Sequence, residues 1–175
     1  MNAAYLLDIL KYTVAGIGVV YIAFYLFKPY LDRAEKLQML DFKKSMSNQT
    51  LPLKLQAYER MVLLIERINP SNMLVRLNGP VYTAAQLHNL IVTEVREEFQ
   101  HNISQQIYVS NSAWAVVKRL KDDTLSIATN AVKALPEDAS GLELSKTILA
   151  HLSRLEDNPY DIGTNLIRKD LEDIF

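Results

Sequence analysis

The feature that most constrains this chain is an uncharged apolar stretch near its start. Residues 12–27 read YTVAGIGVVYIAFYLF, sixteen residues without an acidic or basic side chain. A helix that crosses a bilayer needs about 20 predominantly apolar residues. The flank supplies the difference, because Asp8 and Lys11 are the only charged residues before Phe27, and their spacing lets them pair on one helix. The sequence therefore predicts a membrane-spanning helix from about residue 8 to residue 30.

Two other interpretations of this stretch stay open. A cleaved signal peptide has a basic start and a small-residue cleavage site, whereas this chain begins MNAAYLLD and runs past Phe27 into KPYLDRAEK. The core helix of a soluble bundle would also be apolar. The anchor is the preferred interpretation, and it divides the chain into a transmembrane anchor (1–30), a juxtamembrane helical stalk (31–50) and a helical-bundle domain (51–175).

Basic residues beside the span predict its orientation. Lys11 precedes the apolar stretch, and five basic residues follow it closely: Lys28, Arg33, Lys36, Lys43 and Lys44. Basic flanks stay on the cytoplasmic side, so we expect the N-terminus outside and the bundle inside. The absence of cysteine agrees with a cytoplasmic domain.

Helical spacing and capping signals run through the remainder of the chain. Thr83 with Gln86 and Ser140 with Glu143 form capping boxes, and Asn158 precedes Pro159 at another helix start. Further helix caps are expected at Ser110 or Ser112 and at Thr50 or Leu51. The cap at Thr50 or Leu51 follows a break over residues 48–50 and has Pro52 near the first helical position. Residues 102–111 are predicted to form an ordered loop.

The predicted fold is all-α, an anchor followed by a bundle of about six helices. The expected inward-facing residues recur at helical spacing. They are Leu55, Tyr58, Val62, Ile65 and Ile68; Leu87, Ile91, Val95 and Phe99; Trp114, Val117, Leu120, Thr124, Ala128, Ala131 and Leu135; Leu144, Ile148, Leu152 and Leu155; and Ile162, Leu166, Ile167, Leu171 and Ile174.

The chain contains few residues in patterns that carry chemistry. It has no nucleotide-binding glycine loop, serine elbow or zinc helix motif. Glu98 and His101 lie three apart on a predicted helix, as in one of the two Glu-x-x-His pairs that di-iron bundles use with two further carboxylates, but a second pair is missing. We predict no catalytic, cofactor-binding or metal-binding residue and keep Glu98 and His101 as a metal hypothesis. Trp114 stays open between core packing and a binding hot spot.

Two segments together resemble a known group of proteins. Residues 51–77 read LPLKLQAYERMVLLIERINPSNMLVRL, and residues 94–118 read EVREEFQHNISQQIYVSNSAWAVVK. They resemble an uncharacterised family of small, single-pass, membrane-anchored helical proteins from Bacteroidota-type bacteria, and the resemblance extends from the anchor to about Lys121. It implies a bacterial inner-membrane location with a cytoplasmic helical body, and it brings no site residue.

The expected function is that of a membrane-anchored interaction or scaffold protein, or a small subunit of an inner-membrane complex, and not that of an enzyme. Its expected partners are the lipid bilayer and either another protein or further copies of itself. The chain lacks the dense basic stripe that nucleic-acid binding requires, and no small-molecule substrate or cofactor is indicated. A metal-binding helical bundle and a membrane-tethered regulatory module are the alternatives.

Overall fold

The computed structural model describes residues 3–173, and the chain divides into two compact units, Met1–Thr50 and Leu51–Phe175. One helix, α1, covers Ala3–Ile68 and contributes to both units. The Asp8 side chain, predicted to pair with Lys11, and Ile174, predicted to extend the last apolar face, lie outside the described residues.

The second unit consists of the end of α1 and five further α-helices. These are α2 (Pro70–Leu77), α3 (Ala84–Asn102), α4 (Asn111–Lys133), α5 (Gly141–Leu152) and α6 (Pro159–Glu172), with short 3-10 helices at Gly79–Val81 and Ile103–Ile107. Within residues 3–173 there is no β-strand, and a single antiparallel bridge joins Thr83 to Ser140. The prediction of an all-α chain with about six helices is confirmed.

The capping signals form as the sequence predicts. Thr83 Oγ1 accepts from the backbone N–H of Gln86 while the Gln86 side chain accepts from the N–H of Thr83, and Ser140 and Glu143 repeat this exchange. Ser110, rather than Ser112, caps α4 by accepting from the N–H of Ala113 at 3.0 Å. Asn158 caps α6 with Pro159 at its first turn. These local exchanges satisfy donors that a helix start otherwise leaves unpaired.

Three local predictions are wrong in whole or in part. The helix does not break over residues 48–50, and no helix begins after a cap at Thr50 or Leu51, because α1 continues through these residues. Thr50 Oγ1 donates to the carbonyl oxygen of Met46 at 3.0 Å, so its hydroxyl is satisfied inside the helix and does not cap it. The predicted loop over residues 102–111 is partly helical, since α3 reaches Asn102 and a 3-10 helix covers Ile103–Ile107. Only residues 108–110 are irregular.

The core of the second unit is built from one buried face of each helix. Tyr58, Met61, Leu64, Ile65 and Ile68 of α1 are at most 2% exposed. They belong to one apolar cluster with Leu87, Ile91 and Val95 of α3, Val117 and Leu120 of α4, Leu144 and Ile148 of α5, and Tyr160 and Ile167 of α6. Burying each large side chain contributes about 1.5–3 kcal/mol.

Four residues predicted to face inward are exposed instead: Leu55, Leu155, Ile162 and Leu166. Leu155 lies beyond the end of α5 at Leu152. In α6 the inward face runs through Tyr160, Gly163, Thr164 and Ile167. Gly163 sets this face because the Leu120 side chain occupies the space where a Cβ would lie. Because this face of α6 is turned toward the core, Ile162 and Leu166 lie on the opposite, solvent-exposed side of the helix.

A backbone contact joins the start of α5 to the segment before α3. The N–H of Gly141 donates to the carbonyl oxygen of Tyr82 at 2.8 Å, and the N–H of Ala84 donates to that of Ala139 at 2.9 Å. A Cβ on Gly141 would collide with the carbonyl oxygen of Gly79 and lie 2.8 Å from that of Tyr82. Only glycine allows so close an approach of two backbones.

We expect Gly141→Ala to lower the free energy of unfolding by about 1–3 kcal/mol, the usual cost of forcing a methyl group into a filled site. The matched control is Gly163→Ala, whose Cβ would meet the terminal Cδ1 of Leu120 at 2.5 Å. That methyl can move, so a smaller loss is expected. Urea unfolding of the full chain in detergent micelles measures both, and equal losses would contradict this account.

Candidate functional site

The apolar stretch of α1 is the most unusual surface of the chain. Its large side chains are solvent-exposed, with Tyr12 79%, Val20 68% and Phe27 64% accessible. Among the described residues, one helix is long and apolar enough to cross a membrane, a property that a signal sequence and the core helix of a soluble protein share. A core helix is mostly buried, whereas none of the apolar window in α1 is buried.

Glu98, one of the two residues of the metal hypothesis, already accepts hydrogen bonds from other side chains. Arg67 donates to Glu98 Oε2 at 2.8 Å, and the buried Asn102 donates to Glu98 Oε1 at 3.0 Å. Both site residues line a polar cleft of about 370 Å³ between α1 and α3. In the described part of the chain, no three His, Asp or Glu side chains are grouped so that they could hold a metal ion. The geometry fits a structural ion pair.

A hydrogen-bonded cluster, the Asp170 junction, ties α1, α4 and α6 together. The hydroxyl of Tyr58 donates to Asp170 Oδ2, as does that of Ser110 at 2.6 Å, and Ser112 donates to Oδ1 at 3.0 Å. The N–H of Ser110 in turn donates to the Tyr58 hydroxyl at 3.2 Å. Sequence reasoning identified Ser110 as a cap but missed this junction, because nothing local links residues 58, 110 and 170.

The electrostatics of the junction favour the ionised carboxylate. Partial burial would raise the pKa of Asp170, but the hydroxyl groups of Ser110, Tyr58 and Ser112 that donate to it hold the pKa below its usual range. Burial, followed by the bond to Asp170, raises the pKa of Tyr58. The three hydroxyl groups satisfy the carboxylate, so the junction holds α1, α4 and α6 together.

A groove of about 440 Å³ lies where α4, α5 and α6 meet. Half of its ten lining residues are polar and half are apolar: Asp123, Ser126, Ile127, Asn130, Ala131, Ala134, Thr147, His151, Leu155 and Pro159. The sequence analysis did not find it because its residues come from separate helices. The groove places one carboxylate and one imidazole among small, apolar and uncharged polar side chains.

Trp114 belongs to a half-buried aromatic pair. Its ring stacks on that of Phe99 with centroids 5.2 Å apart, and Lys121 Nζ lies 4.8 Å from the centre of the Phe99 ring. Both aromatic rings pack against the buried core. Trp114 therefore joins α4 to α3, and a binding role is not needed to explain it.

A family model matches residues 4–174, which is nearly the whole chain. The chain belongs to the family DUF7935. DUF7935 is described as a family of unknown function, which confirms the resemblance to an uncharacterised family. The bacterial group and the membrane anchor implied by that resemblance stay predictions. No curated protein matches the chain, and neither does any solved structure. Membership in DUF7935 therefore leaves function to be argued from the residues.

We expect Asp170→Asn to destabilise this DUF7935 protein by about 2 kcal/mol at neutral pH, because hydrogen bonds to a charged acceptor are lost. The folded-state pKa of Asp170 is lowered, so its stabilisation is present above the unfolded-state pKa. It is lost as the pH falls through the folded-state pKa. The difference from wild type should therefore close below about pH 4.

Urea unfolding in detergent micelles at a series of pH values measures this difference. Asp173→Asn is the control, since that side chain is exposed near the end of the same helix. We expect it to change stability little at any pH. A difference for Asp170→Asn that stays constant into acid would contradict the role given to the carboxylate.

Proposed function

We propose that this DUF7935 protein is a single-pass protein of the bacterial inner membrane whose cytoplasmic helical body docks another protein. In this role it is a scaffold or a small subunit of a membrane complex and carries no catalytic activity of its own. The observation that carries the proposal is the run of exposed apolar side chains over residues 12–27.

Energetics favour lipid around this stretch. Removing one large apolar side chain from water is worth about 1.5–3 kcal/mol, and the stretch carries many: Tyr12, Val14, Ile17, Val19, Val20, Tyr21, Ile22, Phe24, Tyr25, Leu26 and Phe27 are all exposed. A helix from residue 8 to residue 30 is roughly 34 Å long at 1.5 Å per residue. That length matches a hydrocarbon core of about 30 Å. Tyr12 and Tyr30 then fall near the two interfaces, where aromatic side chains are enriched.

The basic residues after the stretch support a cytoplasmic body. Lys28, Arg33, Lys36, Lys43 and Lys44 follow it, and all five are exposed in the helix. Positive charges resist translocation and are attracted by anionic lipids of the cytoplasmic leaflet. The same residues would hold the start of the stalk against the membrane surface.

The carboxylates of Glu98 and Asp170 are taken up by hydrogen bonds within the body, which favours a docking role over a catalytic one. The Glu98 carboxylate binds Arg67 and Asn102, and the Asp170 carboxylate binds three hydroxyl groups. With Glu98 so engaged, the metal-binding alternative has no supporting observation. The body offers other molecules a groove where α4, α5 and α6 meet, with the exposed Leu155 on its wall. Exposed apolar surface is typical of sites where proteins interact.

We expect the full chain to stay with the membrane through an alkaline carbonate wash. Val19→Asp with Val20→Asp should release it, because a charge at the centre of a spanning helix costs roughly 2.5–3.5 kcal/mol. Val75→Asp with Val81→Asp is the matched control at exposed positions of the body and should not release it. Release of the wild-type chain, or retention of the Val19/Val20 variant, would contradict the anchor.

The docking role is tested by purification from native membranes with an affinity tag after residue 175. Crosslinking before extraction in a mild detergent should recover the chain within a larger assembly. A parallel preparation from cells that express the untagged chain identifies background proteins. Recovery of a lone monomer, with nothing crosslinked to it, would count against a scaffold.

A further inference from the structure

The face of the body formed by α1 and α6 carries an apolar groove, the α1–α6 groove, of about 320 Å³. Its walls come from both helices: Leu55, Tyr58, Glu59, Val62 and Leu63 of α1, and Ile167, Arg168 and Leu171 of α6. The floor is apolar, because Tyr58 and Ile167 are buried. Leu55 and Leu63 on the rim are 38% and 52% exposed.

Leu63 and Glu59 stand on a ridge between two depressions. Both line the α1–α6 groove on one side and the polar cleft of Glu98 on the other. The exposed Leu63 side chain therefore stands at the edge of the α1–α6 groove that it helps to line. A surface that has an apolar knob next to an apolar groove can pack against an identical surface, as knobs fit into holes between paired helices.

The two charged residues of the α1–α6 groove also favour a second copy of this chain as the molecule that fills it. Glu59 and Arg168 both line it and both are exposed. Neither is among the ion pairs within the described residues, which join Arg67 to Glu98, Arg76 to Glu94, Arg119 to Asp123 and Lys121 to Asp122. In a two-fold symmetric interface, a contact from residue i to residue j is repeated from j to i. Opposite charges on one face then satisfy each other across the axis.

We infer that the α1–α6 groove is the contact between two copies of this chain, with Leu63 of each copy in the groove of the other and Glu59 of each opposite Arg168 of the other. This deepens the interaction role proposed above by naming one partner, the chain itself. Confinement to a membrane would raise the local concentration of copies, so that a modest interface is sufficient. The contact itself does not require the anchor to lie in lipid.

A charge-exchange cycle tests the inference on the full chain in detergent micelles, where self-association is measured by sedimentation whether or not the chain is a membrane protein in cells. Glu59→Arg and Arg168→Glu should each weaken the dimer about tenfold, because like charges then face each other. The double variant restores opposite charges across the axis and should recover wild-type affinity. A monomeric wild-type chain, or a double variant no tighter than the single ones, would overturn the inference.

A second arm tests the apolar contact. Leu63→Glu should abolish the dimer, whereas Val75→Glu, at an 82% exposed position of α2, should leave it intact. Circular dichroism checks that both variants fold, which is expected because both positions are exposed. Equal effects of the two changes would overturn the inference. If Leu63→Glu instead removes a different protein from the native complex and leaves self-association unchanged, the groove belongs to that protein and the inference fails.

Discussion

A helix that exposes many large apolar side chains to water is costly unless another surface covers them. No surface of the described chain covers residues 12–27, whose large side chains are exposed. A helix satisfies its own backbone hydrogen bonds, so it can exchange water for lipid without cost to the backbone. Under the proposed placement of this stretch in lipid, the second unit, residues 51–175, has to be stabilised by contacts of its own.

The body achieves this with an apolar core and a few polar contacts between helices. Tyr160 and Thr124 share a hydrogen bond of 2.7 Å inside the core, and burial raises the pKa of Tyr160 to about 12. The Asp170 junction joins α1, α4 and α6. The close approach of Gly141 to Gly79 joins the start of α5 to the segment before α3. These polar groups serve the cohesion of the body, and grooves remain on its outer surface. The docking role proposed above is assigned to that surface.

Features that depend on residues close together in the sequence could be predicted, and features that depend on distant segments could not. Both capping boxes and the Asn158 cap were predicted correctly because each joins residues at most three positions apart. The inward face of α6 was predicted only in part: Ile167 is buried as expected, whereas Ile162 and Leu166 are exposed. The face depends on Leu120 filling the space beside Gly163. The break at residues 48–50 was predicted from polar residues, but helix propagation outweighs local propensity. The Asp170 junction and the grooves join distant segments and left no local signal.

The placement of the chain is tested most directly by labelling single cysteines with a membrane-impermeant maleimide, since the chain has none of its own. Tyr5→Cys should react in intact spheroplasts, and Ser71→Cys should react only after the membrane is opened. Ile17→Cys should stay unreactive until detergent is added. Labelling of Ile17→Cys as fast as Ser71→Cys, or labelling of Ser71→Cys in intact spheroplasts, would contradict a lipid-embedded helix with a cytoplasmic body.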